Sequence, residues 1–116
     1  MKIIFVCSGN TCRSPLAESI AKSLLPNDSI ASRGLFAVEG QAISKESLEL
    51  IHKYGLPEPS LAQTFRIDDL DADIILTMTQ AHKDLIFSMY GRQSNVFTLN
   101  EYVGDTQEID LSLIHI

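Results

Sequence analysis

The sequence predicts an α/β fold, a three-layer sandwich with a four-stranded parallel sheet. Four short apolar runs alternate along the chain with three stretches of helical periodicity, and short apolar runs are typical of strands buried on both faces. Strands that alternate with helices pair in parallel through right-handed crossovers. A chain of 116 residues, of which 45% are hydrophobic, has the size of one domain and can bury a core.

The first half of the chain supplies two predicted strands, over residues 2–6 and 29–32, and two predicted helices. The first helix spans 15–25, with Ser14 as its N-cap and Pro15 at its first position. Its spacing predicts one apolar face, which consists of Ala17, Ile20, Ala21 and Leu24. The second helix follows its N-cap Ser44 and ends at Gly55. Its predicted inner face consists of Leu48, Ile51 and Tyr54.

The second half of the chain supplies the other two strands and a third helix. A helical turn over 67–70 leads to a strand over 73–77, and the last strand covers 95–99. Thr79 predicts the N-cap of a helix over 80–90, and Gly91 predicts its end. The expected inward residues of this helix are Ala81, Leu85 and Met89. We expect His82 to lie at the surface or at a helix boundary and to take no part in catalysis.

The stretch CSGNTCRSP, residues 7–15 between the first strand and the first helix, carries the most specific chemistry. A strand that turns sharply into a helix leaves backbone N–H groups unpaired, and these groups together with the helix dipole attract an anion. Gly9 is expected to give the turn its conformational freedom, and Asn10 tolerates the left-handed region. We expect a phosphate held by the loop residues Ser8, Gly9, Asn10, Thr11, Cys12 and Arg13.

Cys7 and Arg13 are the predicted reactive pair of this loop. The field that favours a bound anion also favours a thiolate at Cys7, which is then a strong nucleophile. Arg13, six residues later, offers a planar fork for two oxygens of a phosphoryl group. The spacing therefore predicts that Cys7 attacks phosphorus while Arg13 and the loop N–H groups stabilise the transition state. The alternative is that Cys7 is a buried structural cysteine and Arg13 a surface residue.

The same stretch resembles the signature loop of the low-molecular-weight protein phosphatases. Residues 32–34, 72–78 and 96–99 follow in the order expected for that family, so the resemblance covers residues 1 to about 110. It implies a phosphocysteine intermediate on Cys7 that water then hydrolyses, with a phosphorylated protein as the substrate and no cofactor or metal. It also implies that Asn10, Ser14 and Ser32 hold the loop in shape and stabilise the thiolate.

Thr11 is expected to set the selectivity for the substrate. In tyrosine-directed members the matching position usually carries a larger aliphatic residue, whereas a threonine is similar to the bacterial protein-arginine phosphatases. The resemblance therefore implies hydrolysis of protein phosphoarginine, because a hydroxyl in place of apolar bulk leaves room for a guanidinium leaving group. The alternative is the same chemistry on phosphotyrosine, with Thr11 a neutral variation. Thiol-dependent arsenate reduction would need further cysteines, and none follows Cys12.

The family places an aspartate, which acts as acid and then as base, in a loop after the fourth strand. Asp110 matches that position better than Asp105, although Leu111 follows it where the family has proline or a further aspartate. Residues 111–116 do not resemble the family, which continues through a long final helix. We therefore expect a phosphatase domain over 1–110 that lacks the last helix, and an atypical tail over 111–116. A poorly held acid loop slows turnover, so an impaired phosphate-binding module is a further alternative.

Charge and composition argue against several other classes of protein. The net charge is −6 and there is no basic patch to follow a nucleic acid, and no apolar run reaches transmembrane length. We expect a cytoplasmic monomer. Cys7 and Cys12 are too few for a metal site, but a reversible disulfide between them would guard the nucleophile against over-oxidation. The alternative for Cys12 is a small packing residue.

Overall fold

The computed structural model describes residues 1–11 and 13–103, and it confirms the predicted four-stranded parallel sheet. The strands are β1 (Lys2–Cys7), β2 (Ser29–Gly34), β3 (Ile74–Thr77) and β4 (Val96–Thr98), in the order β2-β1-β3-β4. The helices are α1 (Arg13–Leu24), α2 (Lys45–Lys53), α3 (Gln80–Tyr90) and α4 (Leu99–Val103), with a short 3-10 helix over Ile67–Asp71. None of these helices is long and apolar enough to cross a bilayer.

Two hydrophobic clusters, one on each face of the sheet, give the fold its three layers. Alternate side chains of a strand point to opposite faces. Phe5 of β1 accordingly packs with Leu16 of α1 and Ile51 of α2. Val6 belongs to the other cluster, which includes Ile86 of α3. Because β1 is covered on both faces, its almost wholly apolar sequence is explained by its central place in the sheet.

The position of β1 also determines where a ligand can bind. It pairs in parallel with β2 on one side and with β3 on the other. The chain leaves β1 towards β2 and leaves β3 towards β4, so the connections diverge between β1 and β3. In open α/β sheets such a switch point, at the carboxyl ends of the strands, is the usual place for a ligand. Cys7 is the last residue of β1 and stands at this edge.

Most element boundaries agree with the predictions. Ser44 and Thr79 are the N-caps of α2 and α3, and each side-chain oxygen accepts a hydrogen bond from the backbone N–H three residues later. Gly91 ends α3 with φ of 83°, in the left-handed region where glycine is favoured. The prediction for Ser14 is wrong, because α1 already begins at Arg13 and Ser14 lies inside the helix. Its hydroxyl bonds to side chains of the loop instead.

Some of the predicted inward faces are also wrong. Leu24 and Tyr54 are each 51% exposed, because they lie at the ends of their helices, beyond the sheet. On α3 the buried residues are His82 and Ile86, one position after the predicted Ala81 and Leu85, although Leu85 is partly buried and packs against the cluster that contains Ile86. A shift of one residue turns a helix face by about 100°.

A short helix that no apolar pattern predicted continues directly from β4. Leu99 was expected to end the strand but begins α4. The carboxylate of Glu101 accepts a hydrogen bond from the N–H of Thr98, and its own N–H donates to the Thr98 hydroxyl. Lys83 of α3 also binds this carboxylate, at 2.9 Å. The Lys83 bond, ahead of the Thr98 bonds, lowers the pKa of Glu101 to about 2. These contacts fix α4 against α3.

Glu18 of α1 is fully buried and joins three parts of the chain. Its carboxylate accepts hydrogen bonds from the Ser32 hydroxyl of β2, at 2.5 Å, and from the backbone N–H of Ser60, at 3.1 Å. Lys22, one turn later on α1, binds it at 2.6 Å. A buried charge is tolerated only when it is paired and hydrogen-bonded, and Glu18 satisfies both conditions. The segment around Ser60 is thereby tied to the helix that follows the loop.

We expect Glu18→Ala to lower the free energy of unfolding by about 3 kcal/mol, because it leaves buried hydrogen-bond donors and a cation without their partner. Urea denaturation of the parent and the variant measures this. The matched control is Glu46→Ala, which removes an exposed carboxylate from the first turn of α2 and should cost less than about 1 kcal/mol. Equal losses in the two variants would contradict a stabilising role for the buried network.

Candidate active site

The loop between β1 and α1 turns through a left-handed residue. Asn10 has φ of 55° and is the one residue other than glycine with a positive φ among residues 1–11 and 13–103. The expectation that Asn10 accommodates the left-handed region is confirmed. The expectation for Gly9 is wrong, because Gly9 does not adopt a positive φ and a Cβ placed there would meet only the Thr11 hydroxyl, at 3.7 Å. The sharp turn is therefore made by Asn10, whose short polar side chain can hold it locally.

Cys7 is a buried free thiol with two hydrogen-bond partners. The backbone N–H of Asn10 points to its Sγ at 3.3 Å, and the Ser14 hydroxyl lies 2.8 Å from the same atom. Ser14 Oγ is also 2.9 Å from Asn10 Oδ1. Since a hydroxyl has one hydrogen, Ser14 can donate it to a thiolate or to the asparagine, according to the charge on sulfur. The Asn10 N–H donates to the sulfur in either case, and the Ser14 hydroxyl becomes a second donor when the sulfur is a thiolate.

β2 forms one wall of the loop. The side-chain amide of Asn10 donates to the backbone carbonyl of Ser32, at 3.4 Å, and the Ser32 hydroxyl is held by Glu18. The structure thus brings together Cys7, Asn10, Ser14 and Ser32, the residues that the sequence predicted as the nucleophile and its support. Glu18 was not predicted. The sequence signal that could have identified it is a carboxylate on the inner face of an apolar helix.

Gly34, at the end of β2, lies against the backbone of the loop. A Cβ on this residue would be 2.6 Å from the carbonyl oxygen of Ser8 and 2.8 Å from the backbone nitrogen of Asn10. Real Cβ atoms essentially never approach so closely. The absence of a side chain here allows the loop to pack directly on β2.

α3 forms the opposite wall through His82, which lies at the helix boundary, one of its two expected places, but is not at the surface. His82 is buried, and its Nε2 lies 2.9 Å from the hydroxyl of Ser8 while its Nδ1 lies 3.0 Å from the hydroxyl of Thr79. Burial first, and then the positive charge of Arg13, lower the pKa of His82 below its usual value. The imidazole beside the loop is therefore neutral at pH 7.

Arg13 and Thr11 keep their side-chain donors available. Arg13 is half-buried and makes no hydrogen bond or ion pair with any other residue in the described ranges. The backbone carbonyl of Thr11 accepts a hydrogen bond from the N–H of Ser44, at 2.6 Å, which ties the loop to the start of α2. The Thr11 hydroxyl has no hydrogen-bond partner within residues 1–11 and 13–103. Both side chains are therefore able to bind a ligand.

Several predicted residues lie outside the described part of the chain. They are Cys12, Asp105, Asp110 and the tail over 111–116. Their predicted roles, like the domain boundary at 110, stay predictions. Within the described residues, no group of three or more histidine, cysteine or acidic side chains could hold a metal ion.

Comparison with known proteins identifies the class to which this loop belongs. The model of the low molecular weight phosphotyrosine protein phosphatases matches residues 2–113. A relative from Staphylococcus epidermidis, described as the low molecular weight protein-tyrosine-phosphatase PtpB, is 96% identical over 110 residues, which are 95% of this chain and 79% of that protein. These matches define the protein as a phosphatase.

Two solved structures agree with this class. A mutant of YwlE from Bacillus subtilis is 36% identical with a TM-score of 0.85, over 90% of this chain and 74% of that one. A cysteine-to-serine mutant of the YwlE arginine phosphatase, with a phosphorylated active-site serine, is 32% identical with a TM-score of 0.86, over 98% of this chain and 84% of that one. The chain belongs to the low molecular weight phosphotyrosine protein phosphatase family. The predicted resemblance is confirmed.

We expect Gly34→Ala to lower kcat/KM for an aryl phosphate by about a hundredfold, because the new methyl group must displace the loop by a fraction of an ångström or more. Steady-state kinetics measure the loss, and thermal unfolding measures the accompanying change in stability. The control is Gly55→Ala, where φ is 62°, in the left-handed region, but nothing lies within 4 Å of the added methyl group. That variant should lose stability and keep its kinetics; a similar kinetic loss in both variants would refute the packing argument.

Proposed function

We propose that Cys7 is the nucleophile of this phosphatase and that the loop over residues 8–13 binds the phosphoryl group. In the first step a bond forms between Cys7 Sγ and phosphorus while the bond from phosphorus to the leaving group breaks. In the second step water attacks phosphorus, the bond to sulfur breaks, and inorganic phosphate leaves with the thiolate restored. Arg13 and the loop N–H groups bind the phosphoryl oxygens in both steps.

The observation that carries this proposal is the position of the Cys7 sulfur at the carboxyl end of the central strand, where the Asn10 N–H donates to it and the Ser14 hydroxyl lies within hydrogen-bond distance. The Asn10 N–H and the Ser14 hydroxyl stabilise the thiolate both before the attack and when it is released. The arginine phosphatase relative that carries a phosphorylated serine in place of its active-site cysteine supports the same covalent route. A structural role for Cys7 alone would not require a partly buried arginine left unpaired by the described residues.

Asp110 is the proposed acid and base. Its carboxyl group gives a proton to the leaving nitrogen or oxygen in the first step and takes one from the attacking water in the second. Asp105 is the alternative for this role. The sequence resemblance supports Asp110. The alternative, an impaired module that binds phosphate, predicts phosphate binding without normal turnover in the kinetic and binding measurements described below.

Protein phosphoarginine is the proposed substrate. Thr11 presents a hydroxyl, with no partner among the described residues, at the loop that binds the phosphoryl group. A guanidinium leaving group has several N–H donors, and the Thr11 hydroxyl can accept a hydrogen bond from one of them. The phenol oxygen of phosphotyrosine is esterified and has no hydrogen to donate. The YwlE arginine phosphatase shares this fold and supports the same assignment.

Protein phosphotyrosine is the second candidate. The observation that favours it is the 96% identity to a protein described as a tyrosine phosphatase. A cytoplasmic location and a monomeric state, and a redox role for Cys7 and Cys12, remain expectations of the sequence.

We expect the parent to hydrolyse a phosphoarginine peptide in preference to the matched phosphotyrosine peptide, and Thr11→Ile to shift the ratio of the two kcat/KM values by about tenfold or more toward phosphotyrosine. Rates on the two peptides, measured side by side, test this. Thr11→Val is the matched control, since it removes the hydroxyl and keeps the shape. A parent that prefers phosphotyrosine would establish the second candidate, with Thr11 a neutral variation.

We expect Cys7→Ser to lower kcat by at least about a thousandfold, because a serine hydroxyl is not ionised at neutral pH. Binding of inorganic phosphate, followed by calorimetry, should remain within about threefold of the parent, because the loop donors are unchanged. Acid quenching of the parent during turnover should reveal one phosphoryl group on the peptide that contains Cys7. Turnover in Cys7→Ser equal to that of the parent would rule out the nucleophile.

A further inference from the structure

His82 is a buried titratable group that neither the proposed nucleophile nor the proposed acid accounts for. It lies in the first turn of α3, is 7% exposed, and is separated from Ser8 by 74 residues of sequence. Ser8 belongs to the loop that binds the phosphoryl group and is itself exposed. The contact between Nε2 and the Ser8 hydroxyl therefore joins a buried helix residue to the surface of the binding loop.

The contact of the second ring nitrogen favours one of the two tautomers. The Thr79 hydroxyl accepts a hydrogen bond from the backbone N–H of His82, at 3.3 Å, and lies 3.0 Å from Nδ1. Its single hydrogen has no other acceptor among the described residues. The arrangement in which every hydrogen is used has the Thr79 hydroxyl donating to Nδ1, so the proton of the neutral ring is on Nε2.

This tautomer determines the direction of the Ser8 hydroxyl. With a proton on Nε2, His82 donates to Ser8 Oγ, and Ser8 must point its own hydrogen elsewhere. In the opposite tautomer Ser8 would donate to His82 and its hydrogen would be used up. The neutral state of the ring agrees with this, because an imidazolium could not accept from Thr79 and would stand beside the charge of Arg13.

We propose that His82 is a positioning residue of the phosphatase: it holds the Ser8 hydroxyl so that its hydrogen is donated to an oxygen of the bound phosphoryl group. This rests on the proposed role of the loop as the phosphoryl site. The contact strengthens as negative charge builds on the phosphoryl oxygens, so it acts mainly on kcat. Thr79 acts in turn on His82, and the capping residue of α3 is thereby connected to the reaction.

The test is a set of kinetic measurements with p-nitrophenyl phosphate, a substrate that does not depend on whether arginine or tyrosine is the natural leaving group. His82→Met removes the donor, and His82→Gln, of similar length and shape, supplies an amide N–H near the position of Nε2. We expect His82→Met to lower kcat by about tenfold and His82→Gln to stay within about threefold of the parent. KM should change little in either variant.

Ser8→Ala shows whether His82 acts through Ser8. By itself it should lower kcat by about tenfold, and adding His82→Met should then have no further effect. The proposal is overturned if His82→Met costs the same factor with and without Ser8→Ala, or if His82→Gln falls as far as His82→Met. Ser8→Ala leaves helix α3 intact, so an unchanged kcat in this variant also overturns the proposal, even if His82→Met does not fold.

Two controls separate the positioning role of His82 from an effect on helix stability and from a failure of the proposed function. Ile86→Val weakens the packing of the buried face of the same helix and should keep kcat within about twofold of the parent while lowering thermal stability. A large kinetic loss there would mean that kcat follows helix stability, which overturns the proposal. Cys7→Ser tests the proposed function: turnover equal to that of the parent rules out Cys7 as the nucleophile, whereas lost turnover together with an unchanged kcat in His82→Met refutes only the positioning role.

Discussion

The left-handed turn at Asn10 is the constraint on which the rest of the site depends. A residue with a side chain loses roughly 1–2 kcal/mol in this conformation, and the surrounding contacts must offset that loss. They come from Ser14, whose hydroxyl donates to the side-chain oxygen Oδ1 of Asn10, and from β2, whose Ser32 backbone carbonyl accepts from the Asn10 side-chain amide. The same turn directs the Asn10 N–H at Cys7. One strained residue thus shapes the loop and places a donor on the sulfur.

The loop is held by a connected polar network inside an apolar fold. From the Cys7 sulfur the hydrogen bonds run through Ser14 and Asn10 to Ser32, then to Glu18 and the segment around Ser60. Within the described ranges, no buried side-chain nitrogen or oxygen lacks a partner. A fully satisfied network of this kind is rigid, because losing any one bond leaves a buried group unpaired. This rigidity keeps the Asn10 N–H directed at the Cys7 sulfur without reorganisation.

Sequence patterns predicted the elements whose cause is local. The apolar run of β1, the caps Ser44 and Thr79 and the stop at Gly91 all depend on residues within one turn or one strand, and all are confirmed. The errors among polar residues occurred where the hydrogen-bond partner is one that helix and strand patterns do not describe. Ser14 has the composition of an N-cap, but its hydroxyl is used by the loop. The contacts of His82 with Ser8 and of Glu18 with Ser60 were missed because these partners lie 74 and 42 residues away.

By itself, the sequence predicted the chemistry proposed for this protein, from a cysteine at the end of a buried strand, an arginine six residues later and a polar loop between them. These groups belong to one turn of backbone between a strand and a helix, so their spacing along the chain is sufficient for the prediction. Only the tertiary structure decided what surrounds the loop. The order β2-β1-β3-β4 places Gly34 on one side of it and His82 on the other, because neighbours in a parallel sheet are distant along the chain and no local pattern encodes their contacts.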